Sequence, residues 1–105
     1  MEKKLKAEEL FSVKGKIVLL TGGGGIGEYL AEAYLANGAT VIATNRTKEK
    51  GDKLVAYMNE QGYDKIESYP LDQTDSAQIE ELVDKILAKY GRIDVLLNAV
   101  GYSYD

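Results

Sequence analysis

Five of the eleven glycines in this 105-residue chain fall between Gly22 and Gly27, directly after an aliphatic run and directly before an amphipathic stretch. At a strand-to-helix join, residues without Cβ atoms let backbone N–H groups approach a pyrophosphate, and the helix adds about half a positive charge at its N-terminus. A tight turn that binds nothing needs fewer glycines, because each one costs backbone entropy on folding. A P-loop would follow its last glycine with Lys and then Ser or Thr, to neutralise phosphate charge and hold magnesium; Glu28 and Tyr29 stand there instead. The spelling Gly22-x-Gly24-x-x-Gly27 satisfies the G-x-G-x-x-G pattern for a dinucleotide, although a run of four glycines fits several registers.

Such a loop works only where a strand and a helix hold it. Lys16 to Thr21 is too short for a helix and does not alternate, as expected of a parallel strand covered on both faces. Ile26, Leu30, Ala33 and Tyr34 then form one helical stripe that stops at Asn37-Gly38. Ala39 to Thr44 is short and β-branched, a second strand. Lys48 to Gln61 carries Leu54, Tyr57 and Met58 at helical spacing, with Gly51 as an internal weak point and Gly62 as its stop. Ile66 to Leu71 forms a third strand with Pro70 near its end. A capping box at Asp75-x-x-Gln78 opens a helix with Ile79, Leu82, Val83, Ile86 and Leu87 on one face, ended by Gly91, and Ile93 to Asn98 is a fourth strand. This alternation predicts an α/β fold, a partial Rossmann-type parallel sheet of four strands in the order 3-2-1-4 with three helices, in one domain over residues 1–105.

Composition removes several other chemistries. The chain has no Cys and no His, which excludes disulfides, the usual zinc and haem ligands, and imidazole or thiolate catalysis. A net charge of -4 without a basic block argues against a nucleic-acid surface. The longest aliphatic run, Ile17 to Leu20, is far short of the roughly 20 residues that span a bilayer, and Met1 to Glu9 has no apolar core of a signal peptide. No membrane partner and a cytoplasmic, reducing location are expected.

The segment Thr21-Gly-Gly-Gly-Gly-Ile-Gly27 resembles the T-G-x-x-x-G-I-G loop of the short-chain dehydrogenases/reductases. Three further stretches agree in order: Asp72-Gln-Thr-Asp75 with that family's D-x-x-D region, Gly91-Arg-Ile-Asp-Val-Leu-Leu97 with its G-x-I-D-x-L-V strand, and Asn98-Ala-Val-Gly101 with its N-N-A-G turn. The resemblance runs from about Phe11 to Gly101. It implies a nicotinamide dinucleotide cofactor held by Thr21, Gly22, Gly24, Gly25, Ile26 and Gly27, with Asp72 on the adenine, Gln73 supplying backbone groups, and Asn98 and Gly101 close to the cofactor ribose. Two departures stand out. The glycine loop is one residue shorter than the family pattern, and Ala99 replaces the second Asn of the last motif, which removes a sheet-bracing side chain.

Past the second strand, a dinucleotide fold uses an acid to accept from an adenosine ribose or a base to receive a 2′-phosphate. Here Asn45 stands where NAD-preferring relatives carry Asp, and Arg46 takes the next position, where NADP-preferring relatives carry Arg. NADP is the expected cofactor, bound weakly, with NAD the second choice; otherwise Arg46 is a solvated loop residue beside Lys48 and Lys50. A methyltransferase would want an acid here for its adenosyl ribose, and both residues fail that test. The family's chemistry also needs a Ser and Tyr-x-x-x-Lys, yet Tyr57, Tyr69 and Tyr90 are followed four positions on by Gln61, Gln73 and Asp94. No catalytic residue is assigned. The chain is therefore expected to be the cofactor-binding N-terminal half of an oxidoreductase, shortened before the catalytic half and without turnover of its own. The alternative is a non-catalytic nucleotide-binding or oligomerisation module. An unpaired fourth strand and a half-covered sheet face predict a homo-oligomer through that strand or the Ser76 to Tyr90 helix.

Overall fold

A computed structural model describes residues 12–22 and 25–99. Four strands alternate with three helices: β1 (Ile17–Thr21), α1 (Ile26–Ala36), β2 (Thr40–Asn45), α2 (Lys48–Glu60), β3 (Ile66–Pro70), α3 (Ser76–Tyr90) and β4 (Val95–Asn98). All pairings are parallel and the order is β3-β2-β1-β4, as the sequence predicts. Side chains alternate across each strand, so the sheet carries two cores. On one face Val18, Leu20, Val41 and Ala43 meet Ala31 and Leu35 of α1 and Leu54 and Met58 of α2. On the other, Ile17, Leu19 and Ile42 meet Leu82 and Ile86 of α3. Each fully buried Leu, Ile or Val contributes roughly 1.5–3 kcal/mol.

The helix ends follow local chemistry. The Thr47 hydroxyl accepts from the Lys50 N–H at 3.2 Å, and Asp75 accepts from Ala77 and Gln78 N–H at 3.0 and 3.3 Å. The expected capping box is present in altered form. Gln78 Nε2 donates to the Asp75 carboxylate at 3.0 Å, while Gln78 Oε1 accepts from the Asp72 N–H, also at 3.0 Å, rather than from the cap residue. Gly38, Gly62 and Gly91 take the left-handed turns that stop the three helices.

Three sequence expectations need correction. The buried face of α1 is Gly27, Ala31 and Leu35, whereas Ile26 is 58% exposed and Ala33 is exposed. Leu30 and Tyr34 only flank the core. Small residues win the interior here because the helix lies close to the sheet. The fourth strand begins at Val95 rather than Ile93, since the Asp94 side chain takes the place of a backbone acceptor for β1: its carboxylate accepts from the Ile17 N–H and from Arg92 Nε, each at 2.8 Å. Those donors, Ile17 first, hold the Asp94 carboxyl below its usual range. Gly51, finally, is more than a weak point in the helix. It is buried, and a Cβ there would stand 2.3 Å from Ser68 Oγ and 3.0 Å from Ser68 Cβ.

At the outer strand, Glu67 accepts from Tyr69 and Lys89, each at 2.7 Å, and from Tyr90. Burial pushes its carboxyl up, but these donors outweigh it and leave the group below the usual range, so the C-terminal turn of α3 is tied to β3 by an ionised carboxylate.

Gly51→Ala tests the close approach of α2 to β3. Helix propensity favours Ala by roughly 1 kcal/mol, while overpacking costs about 1–3 kcal/mol. The expected net result is a lower urea midpoint. In a Ser68→Gly background the same substitution becomes stabilising, because propensity then acts alone; a gain in the wild-type background would show that α2 has room to move.

Candidate functional site

Because every strand runs the same way, the residues that follow each strand end collect along one edge of the sheet. Thr21 pairs with Thr44 of β2 and Asn98 of β4, and Asn45 pairs with Pro70 of β3. Glycine loop, Arg46, Asp72 and Asn98 therefore leave the sheet side by side. The strand order reverses at β1, which is where open α/β sheets place a ligand.

At the centre of this edge, Gly22 turns out of β1 with φ 84° and its N–H donates to both the carbonyl and the hydroxyl of Thr44, at 3.1 and 3.2 Å. That N–H is thus committed within the sheet. The other loop donors among the described residues lie at the start of α1. Gly25 precedes the helix with φ 58°, no side chain caps the first turn, and Glu28 N–H reaches the Gly25 carbonyl at 3.1 Å. Gly27 sits against the end of β1, where a Cβ would come within 2.1 Å of the Gly22 carbonyl oxygen and 3.5 Å of Ala99 Cβ. Ile26, beside it, faces outward. Gly24 and Gly101 lie outside the described residues.

Across the reversal, Thr21 Oγ1 lies 3.3 Å from the Leu97 carbonyl and 3.2 Å from Asn98 Oδ1, so its one proton is shared between the two acceptors. The Ala99 N–H closes the same junction onto the Thr21 carbonyl at 2.9 Å. Below Asn98 a hollow of about 250 Å³ opens between the sheet and α3, lined by Leu19, Leu71, Gln73, Ile79, Val83 and Leu96 among others.

On the far side, Asn45 and Arg46 part company. Asn45 is 8% exposed, its Oδ1 is buried with no hydrogen-bond partner among the described residues, and it points toward Gly51. Arg46 is exposed. Asp72, also exposed, accepts from the Thr74 hydroxyl at 2.7 Å and the Thr74 N–H at 2.9 Å. Those bonds, and then the Arg46 charge, hold its carboxyl below the usual range.

Thr44, Thr74 and Gln78 were not legible as site residues. Gln78 had a signal in its capping spacing and Thr74 one in its place two residues after Asp72, but Thr44 acts through Gly22, which only folding brings within reach.

A helix start set against the sheet by glycine and without a side-chain cap, at the reversal of a parallel 3-2-1-4 sheet, defines a Rossmann-type fold. The family model for short chain dehydrogenase matches residues 16–105. The chain belongs to the short-chain dehydrogenase/reductase family. It is 43% identical over 95 residues to the 3-oxoacyl-[acyl-carrier-protein] reductase FabG of Thermotoga maritima, covering 89% of this chain and 38% of that protein. Among solved structures, 2-keto-3-deoxy-D-gluconate dehydrogenase from Streptococcus agalactiae matches with TM-score 0.81 and 38% identity, over 90% of this chain and 35% of that one. ElxO with NADP bound matches with TM-score 0.77 and 40% identity, over 86% and 36%. The chain thus spans a little over a third of the length of the curated relatives it matches.

The two helix-start glycines are separable by substitution. Gly27→Ala must displace α1 from the Gly22 carbonyl and is expected to cost about 1–3 kcal/mol, which in a domain of this size is several degrees of melting temperature or more. Gly25→Ala meets nothing within 4 Å, so its cost is backbone strain alone, that of holding φ 58° and ψ -121° with a side chain present, roughly 1–3 kcal/mol. Thermal melts of both variants check this; an undisturbed Gly27→Ala would mean that α1 does not rest on β1.

Proposed function

We propose that this chain binds a nicotinamide dinucleotide along the C-terminal edge of its sheet and prefers NADP(H) over NAD(H). The observation that carries the reading is the α1 N-terminus, free of any side-chain cap and set by Gly27 against the end of β1, with Arg46 and Asp72 on the same edge. Pyrophosphate would meet the first-turn N–H groups of Ile26 and Gly27, with Gly25 leaving the approach open and Gly24 proposed as a further contact. Gly22 contributes by shaping the turn, since its N–H serves Thr44. Asp72 and Gln73 would flank the adenine, and Thr21 would orient Asn98 toward the ribose beside Gly101.

The family supplies the class of chemistry: the bound cofactor carries hydride to or from a carbonyl or alcohol carbon. This chain's own part is to bind and orient. The described residues include no cluster of three or more His, Cys, Asp or Glu side chains fit to hold a metal, and no helix among them is long and apolar enough to cross a membrane. A cytoplasmic location agrees with the cysteine-free sequence. NADP in a similar solved structure supports the cofactor choice, as does the buried Asn45, which leaves Arg46 as the exposed side chain at the end of β2.

A second reading concerns assembly. Among the described residues β4 pairs only with β1, and Leu96, on the α3 face of that strand, is 66% exposed. An apolar edge of this kind favours a homo-oligomer through β4 or the α3 face. Sedimentation at micromolar concentration is expected to give a dimer or larger species that Leu96→Lys reduces to monomer; a compact wild-type monomer removes the assembly.

For the cofactor, calorimetric titration with NADP(H) and NAD(H) is expected to favour NADP(H) by roughly tenfold to a hundredfold, the worth of a charge-assisted contact. Arg46→Ala should erase most of that preference. Equal affinities that Arg46→Ala leaves untouched would end the role of Arg46.

A further inference from the structure

The carbonyl of Asn45 accepts from the Leu71 N–H at 2.8 Å, which closes the β2–β3 ladder one step beyond the paired residues Asn45 and Pro70. Neighbouring strands lie about 4.8 Å apart, so Arg46 leaves β2 level with Leu71 and one residue short of Asp72, near enough for its charge to act on the Asp72 carboxylate. Both are exposed. The ion pairs among the described residues are Lys48–Asp52, Lys89–Glu67 and Arg92–Asp94; Arg46 has none as close. Asp72, by contrast, is fixed in place. One carboxylate oxygen takes both Thr74 bonds, and its own N–H is held by Gln78, which is in turn braced by Asp75. The carboxylate is therefore a negative charge held in place by hydrogen bonds, near an exposed positive one that has no close ion pair among the described residues.

We propose that Asp72 sets how strongly this edge discriminates for a 2′-phosphorylated nucleotide, acting as the fixed counter-charge to Arg46. The inference rests on the reading of Arg46 given above and adds to it a second specificity-determining residue. A 2′-phosphate arriving at Arg46 must replace the attraction of Asp72 and stand near that carboxylate, whereas a 2′-hydroxyl does neither. Asp72 thus penalises the phosphorylated ligand alone and holds the preference below what Arg46 by itself would give. The adenine contact implied for Asp72 is common to both ligands and cancels in their ratio.

The test uses the 105-residue chain and two probes, adenosine 2′,5′-bisphosphate and 5′-AMP, titrated calorimetrically. Asp72→Asn keeps an oxygen for the Thr74 bonds and removes only the charge; Asp72→Ser, also a short acceptor, serves if the first variant folds poorly. Either is expected to raise the bisphosphate-to-AMP affinity ratio about two- to fivefold, the range of an exposed charge pair. The gain should shrink at 0.5 M salt, where the screening length falls to about 4 Å. If Arg46→Ala collapses the ratio while the Asp72 variants leave it unchanged or lower it, Asp72 has no such role and the reading of Arg46 stands. A ratio indifferent to Arg46→Ala overturns both.

Discussion

The absence of a side chain at Gly27 is the constraint on which the rest of the molecule turns. Its Cα rests against the Gly22 carbonyl at the end of β1, a position that a Cβ would occupy at 2.1 Å from that oxygen. This contact brings the start of α1 to the sheet's edge and aims its unpaired N–H groups, with their partial positive charge, across the ends of the strands. It also explains why the interior face of α1 is built of Gly, Ala and a single Leu: a helix this close to a sheet has no space for larger residues. Thr44 fixes the other half of the join by taking the Gly22 N–H with both its carbonyl and its hydroxyl.

Parallel pairing then does the gathering. Strands that all run one way deliver four separate sequence regions to one edge, and the reversal of strand order at β1 leaves a gap there. The same arrangement leaves the sheet unevenly dressed. Among the described residues two helices cover one face and α3 alone covers the other, so Leu96, whose neighbours Val95 and Leu97 pack inward, stays largely in solvent. The edge that collects the site and the face that lacks cover are consequences of one topology.

Carboxylates hold this frame at both ends. Asp94 takes the Ile17 N–H where β1 begins, while Asp72 and Asp75 organise the turn where β3 gives way to α3. Each accepts from a backbone N–H, which stiffens a junction that a bare loop would leave loose. In the acidic chain these charges are spent on geometry, and the exposed cation at the site edge, Arg46, gains prominence from the contrast.

Periodicity and turn chemistry alone determined the order of the elements, the parallel sheet and the position of the glycine cradle, because helix stops at Gly38, Gly62 and Gly91 and aliphatic runs such as Ile17 to Leu20 are local signals. Motif order was enough to identify the family. Tertiary structure alone decided which face of α1 is buried, that Gly51 makes room for Ser68, that the Gly22 N–H belongs to Thr44, and that Asn45 turns inward while Arg46 stays out. Each of these depends on the distance between two chain segments more than a dozen residues apart or on which side of a strand end faces a helix. Residue type and spacing record what a side chain is able to do; which neighbour it meets is set by packing, and packing exists only once the chain has folded.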